Sequence, residues 1–403
     1  MSDDNLIELT LDRPAHGGYC IGRHDGKAIL VRFGLPGERV RARITQDKKR
    51  FAFAETVEVL EASPHRVTPG CRYFGTCGGC HWQHAAYNET LAIKQAVVVE
   101  QFARVGGMPD APILPTLPTS DHYGYRVHVT MHGTPNGALG FVSVDSRRAI
   151  PIEACPIARP DVNDALDVIA RRGMLHAPGS RLRVQVGDVP PFVTARMVKP
   201  DDDEPDDDAV AQIYDNSESG TPFVTYRIGG RTFRCSAGAF FQVNLAGAAI
   251  LIDEVLARLA LTGSETVLDL YSGGGLFSAF LSEHAGAVIA VESAPLAVAD
   301  AKVNLLDCPN VEMRVGRVED MLTDLLVDAA VVDPPRAGMK PEALSALIAA
   351  SPRRIAYVSC DPATLARDAK ALVAAGYTLT DVQPVDMFPQ TYHVECVAGF
   401  VRE

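Results

Sequence analysis

The spacing of apolar residues changes twice along the chain. Within residues 5–60, apolar and polar positions alternate with a period of two in four stretches, LIELTL, KAILVRF, ERVRARI and TVEVLEA. Gly-rich turns (HGG, DGK and LPGE) separate these stretches. Such alternation is typical of half-buried strands, and several short strands joined by tight turns favour a closed sheet of about five strands. The pattern predicts a small N-terminal β-barrel over residues 1–62.

From about residue 236 the pattern becomes that of an α/β domain. The apolar strands ETVLDLY, AVIAVE, VEMRVG, AAVVDPP and RRIAYVSC alternate with helical segments. Continuous apolar strands with helices between them predict a parallel sheet covered on both faces, here over residues 236–403. The last two strands, TLTDVQPVD and VECVAGFV, have no helix between them, so we expect an antiparallel pair at the edge of this sheet.

Residues 63–235 combine strands, helices and loops, which predicts a central α+β domain. Five segments read as strands: YRVHVTMHG, ALGFVSV, RLRVQVG, FVTARMV and TPFVTYRIGG. Residues 91–105 and the segment VNDALDVIARRG read as helices, and residues 64–90 form a loop rich in cysteine. The seven acids of residues 201–208 read as a solvated loop between strands.

The length of 403 residues suggests two to three domains, in agreement with this division. No uninterrupted apolar run is long enough to span a membrane, and the acidic N-terminus does not resemble a signal peptide, so we expect a cytoplasmic protein. The nine cysteines then favour thiolate chemistry or metal binding over disulfides.

Net charge argues at first against a nucleic-acid partner, because the chain carries −12. Without residues 201–208 the charge would be −5, and residues 23–50 hold nine Lys and Arg against three Asp and Glu. A locally basic arm on an acidic body can still bind phosphates.

The first strand of the α/β region ends at a candidate nucleotide site. Asp269, Leu270 and Tyr271 precede a glycine turn that includes Gly273, and Glu292 ends the second strand. Glycines let a ligand approach the backbone, and an acid at the next strand end can accept the ribose hydroxyls. A plain strand–turn–helix connection is the alternative. The third glycine of a dinucleotide fingerprint is missing, which disfavours NAD.

Two further strand ends carry candidate chemistry. The fourth strand ends in Asp333-Pro334-Pro335-Arg336, and the prolines hold Asp333 toward the cleft. The fifth ends in Ser359-Cys360-Asp361-Pro362. Cys360 is a candidate nucleophile if its thiolate is stabilised, and a buried small apolar residue otherwise.

These motifs, taken in order as QVN (242–244), DLYSGGG, VE, DPPR, SCDP and HVE, resemble the RNA uracil-5 methyltransferase family from about residue 64 to the C-terminus. The resemblance implies a Rossmann-like class I methyltransferase domain that uses S-adenosylmethionine. It implies that Cys360 adds to carbon 6 of uracil and that Glu395 removes the proton from carbon 5. It assigns these residues to the methyl donor: Gln242, Tyr271, Gly273, Glu292 and Asp333. The chain departs from the family at Ser272 and Leu276, where Cys and Asn are frequent.

Three cysteines with close spacing, Cys71, Cys77 and Cys80, and the distant Cys155 form a candidate metal site. Four thiolates suit either an iron–sulfur cluster or zinc. The family resemblance implies a 4Fe–4S cluster, for which we expect a structural role. The other cysteines have no partner pattern and are expected to be structural: Cys20, Cys235, Cys308 and Cys396.

The N-terminal barrel resembles the TRAM domain, an OB-like fold that some of these enzymes carry, which implies RNA binding. The candidate RNA contacts of the barrel form one basic patch: Arg41, Arg43, Lys48, Lys49 and Arg50. Arg126 of the central domain is a further candidate RNA contact. The layout of barrel and cluster implies 23S ribosomal RNA as substrate, with the transfer RNA T-loop as the alternative, and we expect a monomer. A small-molecule or protein methyltransferase and a non-catalytic RNA-binding protein remain rival readings.

Overall fold

A computed structural model of the chain describes residues 5–119, 121–145, 148–171, 176–189, 193–198, 222–323 and 325–403. The acidic run 201–208 lies outside the described residues. Among the helices of the described parts, none has both the length and the apolar character needed to cross a membrane.

The N-terminal strands close into a barrel, as the alternation predicted. They are β1 (Leu6–Ala15), β2 (Tyr19–His24), β3 (Lys27–Arg32), β4 (Arg39–Asp47) and β5 (Phe51–Glu61). Their order around the barrel is β1-β2-β3-β5-β4, with β3 and β5 parallel. Inward residues such as Leu11, Val31 and Val40 are fully buried. Trp82 and Ile93, from outside the barrel, belong to the same core and anchor the barrel to the rest of the chain.

The central part begins with a helix and contains a small sheet. Helix α1 (Tyr87–Gln101) continues into one π-helical turn, Phe102–Gly106. A five-stranded antiparallel sheet has the order β10-β9-β6-β7-β8, and β11 and β12 form a separate hairpin. These elements are β6 (His128–Gly133), β7 (Leu139–Val142), β8 (Ala149–Pro151), α2 (Pro160–Arg171), β9 (Arg181–Val186), β10 (Val193–Val198), β11 (Phe223–Ile228) and β12 (Arg231–Ser236).

The C-terminal part is a seven-stranded sheet with helices. Its strands are β13 (Thr266–Leu270), β14 (Ala287–Glu292), β15 (Val311–Val315), β16 (Ala329–Val332), β17 (Arg354–Ser359), β18 (Thr378–Val385) and β19 (Glu395–Val401). Its helices are α3 (Leu245–Leu259), α4 (Leu276–Leu281), α5 (Pro295–Asn304), α6 (Val318–Met321), α7 (Pro341–Ala350) and α8 (Pro362–Ala374).

The strand order of this sheet, β15-β14-β13-β16-β17-β19-β18, positions the site. The first five strands are parallel, and β19 is antiparallel to both β17 and β18, as expected for the last two strands. Hydrophobic clusters cover both faces of the sheet. The order reverses between β13 and β16, so a crevice opens at their carboxyl ends, where ligands bind in open α/β sheets.

Candidate active site and cysteine cavity

The glycine turn after β13 is tied to the end of β14. The Gly273 amide donates to Glu292 Oε2 at 2.9 Å, while Glu292 Oε1 accepts from the amides of Ser293 and Ala294 at 2.6 and 2.7 Å. Gly273 has a φ of +55°, and a Cβ built on it would meet no atom within 4 Å. The turn therefore leaves open space beside a fixed carboxylate, which suits a ligand held against the backbone.

Tyr271 stands at the entrance of this turn with a φ of +63°. It is half-buried against the core between the sheet and its helices. Burial, followed by the charges of Glu319 and Asp368, raises the pKa of its hydroxyl to about 12. A tyrosine in this conformation is strained, which is frequent at functional sites, and it stands directly after β13 at the edge of the crevice.

The two departures from the family pattern are both buried. Leu276 begins α4 and belongs to the hydrophobic core, so it presents no polar group to the crevice. The Ser272 hydroxyl is buried and has no hydrogen-bond partner among the described residues.

Asp333 follows β16 directly and is partly exposed at the crevice, beside the buried Asp269 of β13. Burial raises the pKa of Asp269 to about 7, and burial together with the charge of Asp269 raises the pKa of Asp333 to about 7. Ser278 donates to Asp269 Oδ2 at 2.5 Å, while Oδ1 has no partner among the described residues. Asp269 was not among the predicted site residues; an acid inside the apolar run VLDL was the available signal.

Cys360 and Glu395 lie on neighbouring chain segments at the same edge of the sheet. In the antiparallel pair of β17 and β19, Ser359 is opposite Cys396. Cys360 and Glu395 are the residues that adjoin this last pair, one on each segment. The charge of Glu395 raises the pKa of the Cys360 thiol, so the two groups are near each other. The sheet thus brings together the two residues predicted to act on the substrate.

The charges around Cys360 and Glu395 shift the pKa of the thiol in opposite directions. Burial raises the pKa of the partly buried Cys360 thiol to about 12, and the charge of Glu395 adds to this effect, whereas Arg336 lowers the thiol pKa. Burial also raises the pKa of Glu395 well above its usual value, with a further contribution from Asp333. Arg336 is exposed, and its Nη2 lies 3.5 Å from His393 Nε2. Arg336, the last residue of the DPPR motif, therefore places positive charge beside this pair, although it was not among the predicted site residues.

Gln242 is buried two residues before Asn244, the N-cap of α3. Asn244 Nδ2 donates to the carbonyl of Met387 at 3.2 Å, which joins this motif to the loop before Glu395. Of the aromatic residues near this motif, Phe240 is 66% exposed, whereas Phe241 belongs to the core.

The four predicted metal-site cysteines line one cavity of about 240 Å³, together with Arg126, His128 and Arg183. They are Cys71, Cys77, Cys80 and Cys155. Burial raises the pKa of Cys80 to about 12. Within the described residues, no three Cys, His, Asp or Glu side chains are arranged to hold a single metal ion. The remaining cysteines are buried elsewhere: Cys20, Cys235, Cys308 and Cys396.

Three basic side chains of this cavity have nitrogen atoms without a hydrogen-bond partner. Arg126 Nε, His128 Nδ1 and Arg183 Nε are buried and have no hydrogen-bond partner among the described residues. Arg183 Nη2 and His128 Nε2 lie 3.3 Å apart. Buried donors without partners are costly, so this cavity suits an anionic occupant that accepts hydrogen bonds. Arg126, predicted as an RNA contact, lines this cavity.

The basic patch of the barrel divides into two sets. Arg41 forms ion pairs with Glu8 and Glu58, and Arg43 lies 3.7 Å from Glu55. The other members lie exposed around the turn between β4 and β5: Lys48, Lys49 and Arg50. Within the described residues, this second set forms no ion pair with an acid. Of the basic patch, it is therefore the part whose positive charge is not already neutralised by neighbouring acids.

The barrel also reaches the edge that carries Cys360. His16, in the turn between β1 and β2, lies 4.0 Å from Asp361 Oδ2, and its ring packs edge-on against Tyr392 at 5.6 Å between centroids. Sequence reasoning missed His16, because residues so far apart along the chain carry no shared spacing.

Two families of known domains match parts of the chain. Residues 310–402 match the tRNA (uracil-5-)-methyltransferase family. Residues 6–57 match the TRAM domain. The first match covers the strands that end at Asp333 and Cys360 and the strand that begins at Glu395, and the second covers the barrel.

Full-length relatives agree with these matches. An uncharacterized RNA methyltransferase of Streptomyces avermitilis is 36% identical over 97% of this chain and 97% of its own length. Another, of Gloeobacter violaceus, is 35% identical over 98% of this chain and 96% of its own length. Among solved structures, the Pyrococcus abyssi tRNA (uracil-54, C5)-methyltransferase in complex with S-adenosyl-L-homocysteine has a TM-score of 0.74 and 25% identity, covering 98% of this chain and 99% of that chain.

Proposed function

We propose, from the premise that this chain belongs to the RNA uracil-5 methyltransferase family, that it methylates carbon 5 of one uridine through a covalent adduct on Cys360. The family uses S-adenosylmethionine, and the barrel is a TRAM domain. The observation that carries the proposal is the end of the β17–β19 ladder: Cys360 and Glu395 adjoin its last pair, and the charge of Glu395 acts on the Cys360 thiol. A nucleophile and a base at one sheet edge can act on adjacent carbons of a flat ring.

The methyl donor fits the crevice between β13 and β16. Glu292 would accept the ribose hydroxyls, Gly273 leaves room for close approach, and Tyr271 would lie against the ligand. Gln242 and Asp333 complete the proposed set. When bound, S-adenosylmethionine supplies a methyl group on a positively charged sulfur.

Cys360 would start the reaction. Its thiolate forms a bond to carbon 6 of uracil, the carbon 5–carbon 6 double bond breaks, and the electron pair moves to the ring enolate, which makes carbon 5 nucleophilic. The thiol pKa of about 12 shows that thiolate formation is unfavourable in the site without substrate. Arg336, which lowers this pKa, would stabilise the thiolate.

Glu395 would finish the reaction. After methyl transfer, carbon 5 still carries its hydrogen. The Glu395 carboxylate takes that proton, the double bond between carbons 5 and 6 re-forms, and the bond from carbon 6 to the Cys360 sulfur breaks. Glu395 is 3% exposed and its pKa is raised well above the usual value. Because the raised pKa favours the protonated form, Glu395 has to release its own proton before this step. Its carboxylate is then a stronger base than that of an ordinary surface glutamate.

We propose that Cys71, Cys77, Cys80 and Cys155 would hold a 4Fe–4S cluster, because all four line the same cavity. A cluster bound by four thiolates is anionic, and hydrogen bonds to its sulfurs are common. The unpaired donors of Arg126, His128 and Arg183 would supply hydrogen bonds, and the two arginines would also supply positive charge. We propose a structural role, in which the cluster would hold the loop of residues 71–80 against the central sheet. Zinc on the same thiolates is the alternative.

The RNA would bind across the barrel and the sheet edge. The target uridine has to leave its stack to reach Cys360. The exposed set Lys48, Lys49 and Arg50 would contact phosphates, whereas Arg41 and Arg43 are held by acids of the barrel. We propose 23S ribosomal RNA as the substrate, on the combination of a barrel with a four-cysteine cavity, and a monomer as the active species.

A transfer RNA substrate is the second candidate. The Pyrococcus abyssi enzyme, a tRNA (uracil-54, C5)-methyltransferase by name, matches 98% of this chain. A tRNA enzyme therefore shares the whole layout, including the barrel region. Both candidates use the same chemistry at Cys360 and differ in the RNA that the barrel and the central domain accept.

The test is mass spectrometry of ribosomal and transfer RNA from cells with and without the gene. We expect 5-methyluridine to disappear from one 23S ribosomal RNA fragment when the gene is removed, and to return with the wild-type gene but not with Cys360→Ala. Loss from the tRNA T-loop instead would replace the substrate. Unchanged 5-methyluridine in both RNAs would contradict the proposed function.

A further inference from the structure

The loop between β18 and β19 is held by an unusual series of hydrogen bonds. Five consecutive carbonyls, from Asp386 to Gln390, each accept from a group distant in sequence. The donors are Thr119 Oγ1 to Asp386 at 3.3 Å, Asn244 Nδ2 to Met387 at 3.2 Å, Lys94 Nζ to Phe388 at 3.0 Å, Tyr125 OH to Pro389 at 3.0 Å, and the amides of His81 and Trp82 to Gln390 at 2.8 and 3.1 Å. All but Asn244 lie in the cysteine loop and the central part of the chain.

Several of these contacts are buried, so losing one of them would be costly. Lys94 and Asp386 form an ion pair with 1% and 0% of their side chains exposed. A buried charge whose partner is lost is strongly destabilising, so this pair fixes where the loop leaves β18. Gln390 is buried and has a φ of +70°, a strained conformation for a residue with a side chain. Such strain persists only where the surrounding contacts over-determine it.

The loop leads directly to the proposed base. Val385 is paired with Glu395 at the end of the β18–β19 ladder, so the carboxylate lies where the strands separate. End positions of a ladder open readily unless the adjoining segment is fixed. Cys360 is held differently: the next residue, Asp361, caps α8 and accepts from the amides of Ala363 and Thr364 at 2.9 and 3.0 Å. The nucleophile and the base therefore depend on separate contacts.

We propose that the cysteine loop and the central part of the chain act as a clamp on residues 386–390 that positions Glu395. The last two donors of the clamp directly follow Cys80, so the cysteine site and the base are joined through three consecutive residues, Cys80 to Trp82. Tyr125 and Thr119 are positioning residues, because they act through the loop. The catalytic part of this inference rests on the proposed function, whereas the mechanical part does not.

The first test compares two buried tyrosines that make the same kind of bond. Tyr125 OH donates to Pro389 at 3.0 Å and Tyr377 OH donates to Pro352 at 2.9 Å, but Pro352 precedes β17, at its end far from Cys360. Tyr125→Phe should raise amide hydrogen exchange several-fold in peptides that cover 386–395, and Tyr377→Phe should leave those peptides unchanged. Equal exchange in both variants and the wild type would overturn the clamp. Thr119→Val, which removes the neighbouring bond, replaces Tyr125→Phe if that variant does not fold.

The second test follows the reaction with RNA. A loosened loop should slow proton removal while Cys360 still adds, so Tyr125→Phe should show a several-fold higher fraction of covalent adduct and a several-fold lower kcat with little change in KM. A loss of kcat without more adduct would overturn the assignment to the base step. If wild type and Glu395→Gln both form no adduct, the proposed chemistry fails, and hydrogen exchange alone decides the clamp.

The third test concerns the link to the cysteine site. Cys80→Ser should raise exchange in residues 386–395 as Tyr125→Phe does, because the two amide donors to Gln390 follow it directly. Cys308→Ser, in a buried cysteine outside the cavity, is the matched control. Full protection of residues 386–395 in Cys80→Ser would contradict the link.

Discussion

Cys360, the proposed nucleophile, lies in an environment that opposes formation of its thiolate. Burial and the charge of Glu395 raise the pKa of its thiol to about 12, and Arg336 acts in the other direction. The pKa of the thiol therefore depends on the charges of both neighbours. Substrate binding therefore has to favour the thiolate. A bound uracil does so by presenting carbon 6 to the sulfur, because the negative charge of the thiolate can then move into the ring.

The two neighbours should shift thiol reactivity in opposite directions. Glu395→Gln removes a negative charge and should lower the pKa of Cys360, whereas Arg336→Gln removes a positive charge and should raise it. The measurement is the rate of iodoacetamide alkylation at Cys360 against pH, read by peptide mass spectrometry. Cys360→Ala gives the background from the other cysteines. Shifts of the same sign in both variants would contradict this account of the site.

The variant Leu276→Asn introduces the residue that is frequent at this position in the family. Because this side chain is 8% exposed and packs in the core, Leu276→Asn should lower the free energy of unfolding by about 3 kcal/mol, from lost apolar burial and an unpaired amide. Leu276→Met should cost much less. Urea unfolding and calorimetric titration with S-adenosylmethionine measure both sides. Tighter cofactor binding with unchanged stability would mean that the side chain faces the crevice.

The sequence located the residues that belong to contiguous motifs, such as Asp333 and Cys360. It did not locate residues that meet them only in space. His16 is such a residue, because it comes from the barrel and reaches Asp361. The pairing of Cys360 with Glu395 also required the register of an antiparallel pair, which apolar periodicity does not specify when both faces of a strand are buried.

At the scale of elements, the exposed turn between β4 and β5 should carry the electrostatic part of RNA binding. Changing Lys48, Lys49 and Arg50 to Gln should weaken RNA binding and reduce the slope of log affinity against log salt by about 2. Changing Arg41 and Arg43 to Gln is the control, because both are paired with acids of the barrel and should alter the slope less. Equal slopes for the turn variant and the wild type would exclude this turn from the RNA interface.

Periodicity predicted the barrel and the alternating strands and helices after β13, because each is regular over many residues. Among the elements that it did not predict are α3, β12 and the π-helical turn. Helix α3 contains Gly247, which weakens a helical pattern, but a Cβ there would lie 2.7 Å from Met387 Sδ, so close packing requires the glycine. Strand β12 follows Gly229 and Gly230, both with positive φ, a hairpin turn that was available as a signal. The π-helical turn after α1 replaces the predicted end of that helix.

At the scale of the whole molecule, the four cavity cysteines should hold one cluster jointly. Cys71→Ser, Cys77→Ser or Cys155→Ser should each remove most of the iron and acid-labile sulfide from protein purified without oxygen, because each provides one of the four thiolates. Cys308→Ser, outside the cavity, should retain both. Stoichiometric zinc without iron in the wild type would replace the cluster by a zinc site, and full iron in the three variants would contradict the ligand assignment.

The central claim is that Cys360 attacks uracil and Glu395 releases it. The most direct measurement is mass spectrometry of Glu395→Gln after incubation with S-adenosylmethionine and unmodified 23S ribosomal RNA or tRNA. We predict a nuclease-resistant peptide that contains Cys360 joined to a methylated uridine, because proton removal precedes cysteine release. The double variant that adds Cys360→Ala should give no such peptide. Turnover of Glu395→Gln at the wild-type rate, with free 5-methyluridine in the RNA and no adduct, would contradict the account.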